Sequence, residues 1–258
     1  MPIICFGAFE GTSIAPANIA QGLLMVNFKN SYGSSIPDPA SLAFNKKPGL
    51  SFLTGKIFNL KQLQRRTVKS ALPLKNGTLG LDLSVFGNGK YSESQISLGW
   101  GGYIQRRISL GLVIHSYSLS VQKYGNASTL GISLAAHFQL SPELDWGLLL
   151  KNINQPKIGK AGEVLPQLII TAIHFSPIPA LAAQIEWEQD TMYRGRFKFG
   201  FEVKPKSWLF IRGGYVSGQL TAGIGWRLNY VLFDYAFVTH PHLGNTQWIG
   251  LGFPLGWN

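Results

Sequence analysis

Apolar and polar residues alternate with a period of two along most of the chain, from residue 78 to its end. In residues 78–86 every second residue is Leu or Val, and in residues 197–203 every second residue is Phe or Val. Successive side chains of a strand point to opposite faces. The pattern therefore predicts β-strands that have one apolar and one polar face.

This alternation and the turn residues between its runs divide the chain into predicted strands. The thirteen predicted strands are 49–60, 77–87, 92–105, 107–122, 127–141, 144–153, 166–176, 180–190, 193–204, 207–217, 219–229, 230–240 and 245–255. Most are close to the ~9–11 residues that a tilted strand needs to cross a bilayer. Soluble strands more often have about 5–6 residues. Because bacterial single-chain barrels usually have an even number of strands, residues 19–28 are the candidate fourteenth strand. Loss of one weak strand would instead give 12. A slip in the alternation predicts a bulge near His115.

The composition favours a membrane protein. Charged residues make up 14% of the chain and hydrophobic residues 45%, whereas a soluble domain has roughly 25% charged residues. The most apolar stretch, residues 165–187, is interrupted by Pro166, Pro177 and Pro179 and does not predict a spanning helix. In a bilayer this leaves a closed barrel, because lipid offers no partner to an open sheet edge. A soluble β-sandwich or lipocalin-like barrel would also alternate and stays open as an alternative.

Aromatic residues near the predicted strand ends favour the membrane interpretation, since such residues form girdles at the two interfaces of outer-membrane barrels. They are Trp100, Tyr103, Tyr117, Trp146, Trp187, Trp208, Trp226, Tyr230, Trp248 and Trp257. We predict an all-β fold, a closed antiparallel transmembrane β-barrel of 14 strands (range 12–14), in the bacterial outer membrane. Residues 49–258 form the barrel, and residues 1–48 form a plug-like segment packed in or under it. Residues 2–9 lack a basic start, so we expect Met1 to lie inside or just after a longer export signal.

Several short stretches resemble the PorV/FadL superfamily of outer-membrane barrels, in the order in which that family has them. Residues 38–44, DPASLAF, resemble its "NPA-G-L-A" segment, with Asp38 in place of the usual Asn. Four further matches follow along the chain. They are residues 152–156 with 165–166, residues 200–202 ("G-x-E"), residues 211–215 ("l-R-x-G-Y"), and residues 234–237 with 243–246 ("D-Y-A-F … L-G-x-T-H"). In the last of these, Gln247 stands where the family commonly has a histidine.

The resemblance implies a 14-stranded barrel and two different roles. PorV-type barrels are partners in type IX secretion, whereas FadL-type barrels pass hydrophobic molecules into the membrane. The predicted short loops and crowded lumen favour a non-enzymatic accessory or scaffold subunit of an envelope or secretion complex. The alternative is a FadL-like channel for hydrophobic small molecules, with such a molecule as its ligand. A soluble β-barrel binding module is a third hypothesis.

The polar faces of the predicted strands carry charges of both signs. The predicted lumen charges are Asp82, Glu186, Glu188, Arg196, Lys198, Glu202, Arg227 and Asp234. A selective polar channel would place charges there. Cross-strand ion pairs that fill a narrow barrel also explain them and are the favoured interpretation, because buried charges must be paired.

No residue pattern predicts catalysis, a cofactor or a metal site. Cys5 is the single cysteine, so neither an internal disulfide nor a cysteine zinc site is expected. His240 and His242 have no carboxylate close to them in sequence and are best explained as a polar turn. No catalytic, cofactor-binding or metal-binding residue is predicted.

The chain is basic, with a net charge of +11 and a pI near 9.8. Much of the excess lies in the first third, where a docking surface for an acidic protein or for anionic lipid head groups is one explanation, and a solvated segment is the other. The predicted partner-binding residues are Lys46, Lys47, Lys61, Arg65, Arg66 and Lys69. The expected partners are outer-membrane lipid and a protein of an envelope complex. Nucleic acid is not expected, since no basic groove with exposed aromatic residues is predicted.

Overall fold

The computed structural model describes residues 8–9, 14–28 and 36–255. Fourteen antiparallel strands form a closed barrel. They are β1 (Gly49–Lys56), β2 (Gln64–Leu74), β3 (Gly77–Gly87), β4 (Tyr91–Gln105), β5 (Ile108–Val121), β6 (Gly125–Gln139), β7 (Leu144–Lys151), β10 (Leu168–Ile178), β11 (Leu181–Asp190), β12 (Arg196–Lys206), β13 (Leu209–Val216), β14 (Gln219–Leu228), β15 (Val231–Val238) and β16 (Thr246–Pro254). A two-residue hairpin, β8 (Lys157–Ile158) with β9 (Glu163–Val164), lies outside the barrel sheet. The helices are short: α1 (Pro16–Ile19) and two 3-10 turns, Pro39–Phe44 and Ile57–Asn59.

The barrel has a simple up-and-down order. Each strand pairs with the next one along the chain, β7 pairs with β10, and β1 closes the barrel against β16. The predicted closed 14-stranded barrel is confirmed. Among the described residues, no helix is long and apolar enough to cross a membrane.

One strand was missed and another was wrongly assigned. The fourteenth strand is β2, while residues 19–28, the candidate for it, form α1's last residue and an irregular segment inside the barrel. In β2 the lumen face carries Arg65, Thr67 and Lys69, so apolar alternation is weak there. The first strand ends at Lys56 and not at residue 60.

The bulge predicted near His115 is absent, because β5 pairs in continuous register with β4 and β6 through that residue. The slip in the pattern has another cause. Tyr117 points into the lumen, where its ring lies 4.9 Å from that of Phe9. Trp248 is buried as well, so these two residues do not belong to an interfacial girdle. Trp257 lies outside the described residues.

The outer face of the barrel is apolar and fits a bilayer. Large side chains there are 37–62% exposed on the protein surface, as expected for residues that contact lipid chains. Members of this belt include Leu81, Leu98, Leu112, Ile173, Ile185, Phe199, Phe201 and Ile249. Together with barrel closure, this belt places the chain in the bacterial outer membrane, as predicted.

Above this belt, strands β4 to β6 carry two cross-strand rows of hydroxyl and amide side chains on their outer face. The first row is Ser94, Ser118 and Ser128, and the second is Ser92, Ser120 and Asn126. The next row towards the belt contains two apolar residues, Ile96 and Leu130, beside Ser116. The polar rows therefore mark where the hydrocarbon layer ends on this side.

The connections at the two ends of the barrel differ in length. At the end where β1 begins and β16 ends, the connections have two to four residues. At the other end, the connection from β7 to β10 spans residues 152–167 and that from β15 to β16 spans residues 239–245. Outer-membrane barrels have short periplasmic turns and longer extracellular loops. The first end is accordingly periplasmic and the second extracellular.

The N-terminal part of the chain fills the barrel. Residues 14–28 and 36–45, here called the lumen segment, are largely buried. α1 contacts β14, β15 and β16, and the 3-10 turn at Pro39–Phe44 contacts β3 to β6. Ala8 and Phe9 pack with Ile158 and Leu165 near the extracellular end. The segment thus runs from the extracellular side of the lumen to β1 at the periplasmic side.

Candidate functional site

One side of the lumen, formed by the inward faces of β11 to β15, is lined by ion pairs and is here called the charged wall. Lys198 is 2% exposed, and its Nζ lies 2.8 Å from Glu186 Oε1 and 2.7 Å from Glu188 Oε2. Arg196, at the extracellular edge, extends this chain of charges with a 2.6 Å contact to Glu188. Each buried charge here faces an opposite charge, as the cost of burial requires.

A second ion-paired group lies closer to the periplasmic end of the same wall. Arg212 donates from Nε to Glu202 Oε2 at 2.7 Å and from Nη1 to Asp234. Arg227 is exposed, and its guanidinium lies 5.2 Å from the ring centroid of Phe210. Across the barrel, Lys69 lies 3.6 Å from Asp82. The structure therefore places all eight candidate lumen charges on inward-facing positions, with Arg196 and Arg227 at the rims.

The charged wall also holds the lumen segment by its backbone. Glu186 Oε2 accepts hydrogen bonds from the amides of Met25, at 2.9 Å, and Val26, at 3.0 Å. Lys198 Nζ donates to the carbonyl of Leu23 at 2.9 Å. The charges do more than neutralise one another, because they also satisfy buried amides and carbonyls of an irregular segment.

Two neutral residues of β11 and β14 complete these contacts. Gln184 Nε2 donates to the carbonyl of Val26 at 2.9 Å. The hydroxyl of Thr221 donates to Ala20 and accepts from the amide of Gly22, each at 2.8 Å. Neither residue stands out in the sequence, although both lie at the inward-facing positions of their strands.

The opposite side of the lumen, formed by the inward faces of β3 to β5, has small residues where the lumen segment touches it and is here called the glycine wall. A Cβ atom added at Gly101 or Gly111 would collide with the backbone of Pro39. One added at Gly80 would collide with Ile36 and Leu42. Contact here depends on space, and these glycines provide it.

An acid of the lumen segment connects two parts of that segment and contacts β6. Asp38 is fully buried, and its Oδ2 accepts from the amide of Asn27 at 2.7 Å and lies 2.9 Å from His137 Nε2. The ring of His137 lies between Phe28, at a centroid distance of 4.7 Å, and Phe44, at 5.5 Å. In the sequence, Asp38 stands out only as part of a family motif, and His137 does not stand out at all.

The predicted partner-binding residues do not form one surface, and this part of the prediction needs correction. Arg65 and Lys69 are buried in the lumen, since they share the inward parity of β2 and pair with Glu93 and Asp82. Lys46 and Lys47 are exposed at the periplasmic end. The other two, Lys61 and Arg66, are exposed towards the extracellular end. The basic first third of the sequence is therefore divided among three separate places.

An apolar cluster lies at the extracellular end of the lumen. Its members are Ala8, Phe9, Tyr117, Ile158 and Leu165, with Leu119 and Ala127 packed against them. We call it the extracellular apolar cluster.

Beside this cluster the barrel wall is incomplete. β6 pairs with β7 only from Leu134 to Gln139, so residues 125–131 extend beyond the end of β7. On that side, among the described residues, the side chain of Asn154 donates to the carbonyl of Leu130 and accepts from the amide of Ile132. The amide of Ile153 donates to the carbonyl of Ile132. The edge of β6 above these bonds has no strand partner in the described part of the chain.

A cavity of about 310 Å³ lies at the periplasmic end, between the lumen segment and strands β4 to β7. Phe28, Phe44 and Tyr103 form aromatic walls. Three cations, Lys46, Arg106 and Arg107, are exposed at its rim. Arg106 and Arg107 do not stand out in the sequence, because they lie at the junction of two predicted strands, where two arginines are typical of an exposed turn.

The residues described by the structure contain no group of three or more His, Cys, Asp or Glu side chains suited to a metal ion. The rings of His240 and His242 are 6.4 Å apart in an exposed connection between β15 and β16. In that connection His240 Nδ1 accepts hydrogen bonds from the amides of His242 and Leu243. Its geometry is that of a side chain that supports a turn.

Solved structures of similar shape are outer-membrane hydrocarbon channels. The chain is similar to the toluene transporter TbuX of Ralstonia pickettii, with a TM-score of 0.68 and 10% identity over 94% of this chain and 98% of that one. It is similar to the monoaromatic hydrocarbon channel CymD, with a TM-score of 0.71 and 10% identity over 95% and 98% of the two chains. The fold is that of a FadL-type barrel. A Pseudomonas aeruginosa FadL homologue also matches, with a TM-score of 0.64 and 9% identity over 93% and 97%. No protein-family model and no curated protein sequence matches the chain.

These similarities correct the predicted function. The resemblance to FadL-type barrels holds at the level of the fold, whereas no similar structure reported above is a secretion subunit. The prediction of a PorV-like accessory or scaffold subunit is therefore wrong, and with it the assignment to type IX secretion. A protein partner likewise has no support from these structures. The ion-paired lumen and short connections, which suggested a scaffold, are compatible with a channel fold.

Proposed function

We propose that this chain is a non-enzymatic passage for hydrophobic small molecules across the bacterial outer membrane. The observation that carries the proposal is the extracellular apolar cluster beside the stretch of β6 that pairs with no strand on that side in the described part of the chain. An apolar cluster at the water-facing end of a polar lumen has no role in filling ion pairs. Its side chains are buried against one another, and a hydrophobic molecule that enters among them leaves water for the kind of environment that it prefers.

The similar folds support this direction. TbuX is described as a toluene transporter and CymD as a monoaromatic hydrocarbon channel. Both are matched along nearly their whole length. Since identity is only 10%, the proposal rests on the apolar cluster in this chain and not on shared residues.

The filled lumen limits how such a molecule can pass. The lumen segment is anchored across the barrel between the charged wall and the glycine wall, and the buried ions of the charged wall are paired. A straight water-filled path is therefore absent from the described part of the barrel. We expect purified protein in planar bilayers to show no stable ion conductance, while hydrophobic molecules pass along apolar surfaces.

The test is uptake of labelled naphthalene by cells that express the full chain, compared with cells that express an unrelated closed barrel. Ala127→Arg places a charge in the extracellular apolar cluster, and we expect uptake to fall severalfold because a desolvated charge disfavours apolar contacts. Ser128→Arg is the matched control, since the next residue on β6 faces outwards in a hydroxyl row. It should leave uptake near the unmodified level.

Cold-SDS gel mobility should show that both variants are folded, because closed barrels resist SDS until they are boiled. Uptake no faster than with the unrelated barrel would refute the proposed function. Equal losses in the two folded variants would refute the assigned route.

A further inference from the structure

The cavity at the periplasmic mouth combines two kinds of surface. Phe44 and Tyr103 present aromatic rings whose centroids are 6.0 Å apart. Lys46, Arg106 and Arg107 surround the opening, while Asp145 is the single acid among its described lining residues. Positive charges thus outnumber negative ones at the rim of an aromatic pocket. In the described part of the chain, none of these three cations forms a salt bridge.

Buried polar atoms inside the cavity lack partners. Ser109 is 1% exposed and His137 is 3% exposed, and both line the cavity. Ser109 Oγ and His137 Nδ1 have no hydrogen-bond partner among the described residues. Leaving a buried donor or acceptor unmet is unfavourable by the full loss of its hydration. Such atoms in a cavity are explained when a ligand or an ordered molecule completes their bonds.

We propose that this cavity binds small aromatic carboxylates. Rings would lie against Phe44 and Tyr103, and the carboxylate would face Arg106 and Arg107, whose planar guanidinium groups pair well with carboxylates. Ser109 and His137 supply additional polar contacts at the inner end. A volume near 310 Å³ lies at the lower end of known ligand pockets, so acids of one or two rings fit better than long chains.

The role of this site in passage rests on the proposed function, whereas binding itself does not. If hydrophobic molecules pass through the barrel, the cavity lies where they would reach the periplasm. Its cations would then favour acids over neutral hydrocarbons at that end. This is a selectivity different from that of the apolar cluster at the extracellular end.

The experiment is titration calorimetry of the full-length barrel in non-ionic detergent, with 1-naphthoate and its neutral counterpart 1-naphthalenemethanol. We expect the acid to bind about tenfold more tightly, in line with a charge-assisted hydrogen bond. In the variant with Arg106→Gln and Arg107→Gln, naphthoate affinity should fall about tenfold while that for the alcohol stays within about twofold. Lys75→Gln, on the neighbouring β2–β3 turn and outside the cavity lining, is the matched charge control and should change neither.

Ser109→Ala separates ligand binding from a structural role. Because Ser109 Oγ has no partner in the described structure, its removal should leave the stability of the unliganded barrel unchanged or higher. Naphthoate affinity should nevertheless fall. Lower stability with unchanged affinity would overturn the role given to Ser109.

Equal affinity for the acid and the alcohol, or no loss in the double arginine variant, would overturn the site. Naphthoate affinity that decreases with detergent concentration equally in wild type and the double variant would also overturn it, since detergent would then be the occupant. Failure of the uptake assay with retained naphthoate binding would refute the proposed function and leave the site intact. The two proposals can therefore fail separately.

Discussion

The charged wall and the glycine wall hold the same segment in different ways. On the charged wall, Glu186 and Lys198 bond directly to the backbone of residues 23–26. On the glycine wall, Gly101 and Gly111 leave room for the backbone of Pro39. Close approach at glycines is common to both walls, since a Cβ atom at Gly200 or Gly223 of the charged wall would also collide with the lumen segment. The charged wall differs because it adds buried ions that bond to the backbone of the segment.

An irregular segment can thus be fixed in a barrel by bonds to buried ions and by close packing against glycines. Directional bonds in a buried site are lost all at once, because a missing partner leaves a buried charge and unbonded amides. Shape contacts are lost by degrees, since neighbouring atoms can shift to relieve part of an overlap. The charged wall should therefore be the more sensitive of the two.

The largest effect is expected for Glu186→Ala. This change leaves the amides of Met25 and Val26 unbonded and removes one of the two carboxylates that face Lys198. Breaking a buried ion pair lowers the free energy of unfolding by about 3–5 kcal/mol. Urea unfolding followed by cold-SDS gel mobility measures this change.

Glu143→Ala, in the exposed periplasmic turn between β6 and β7, is the control for Glu186→Ala and should remain within about 0.5 kcal/mol. Similar stabilities for the two variants would show that the charged wall does not hold the lumen segment.

A smaller effect is expected for Gly111→Ala on the glycine wall. The added methyl group meets the backbone of Pro39 and Ala40, so the 3-10 turn must shift. Overpacking of this kind lowers stability by about 1–3 kcal/mol. The same unfolding assay applies, and Gly89→Ala is the matched control because a Cβ there has nothing within 4 Å. If Gly111→Ala is as stable as Gly89→Ala, the 3-10 turn does not pack tightly against the glycine wall at Gly111.

The smallest effect is expected for the pair Lys61→Glu and Arg66→Glu, which belongs to neither wall. Both residues are exposed, and surface substitutions usually change stability by no more than about 0.5 kcal/mol each. The heat shift on SDS gels should be unchanged. A large loss of stability would show that the extracellular rim also stabilises the barrel. The two walls would then not be the only parts of the lumen and its rims to do so.

The barrel itself could be predicted because lipid-facing strands obey one simple rule. Phe197, Phe199 and Phe201 alternate with inward polar residues, and a period of two fixes both the strand and its faces. Strand β2 was not predicted, because Arg65 and Lys69 occupy inward positions and Arg66 occupies an outward one. Charged residues therefore lie on both faces of this strand. Charge pattern alone cannot tell an inward lysine from an exposed one.

The sites were less predictable because they depend on residues far apart in sequence. The alternation predicts an inward position for Glu186, but its bonds to Met25 and Val26 depend on how an irregular segment crosses the barrel. The cavity joins Phe44 to Arg106 and His137 only once three strands and the 3-10 turn are in place. No local sequence pattern predicts that these distant residues lie together.

The path of the lumen segment also dictates an order of assembly. The segment precedes β1 in the chain, and the barrel closes only when β1 pairs with β16, for example Gly49 with Pro254. A segment enclosed on all sides cannot be threaded in easily after that seam has formed. Its bonds to Thr221 and Glu186 lie on strands that can pair before closure, and contacts between distant parts of a chain form slowly. We expect the segment to be laid into an open, curved sheet first, with the seam between β1 and β16 sealed last.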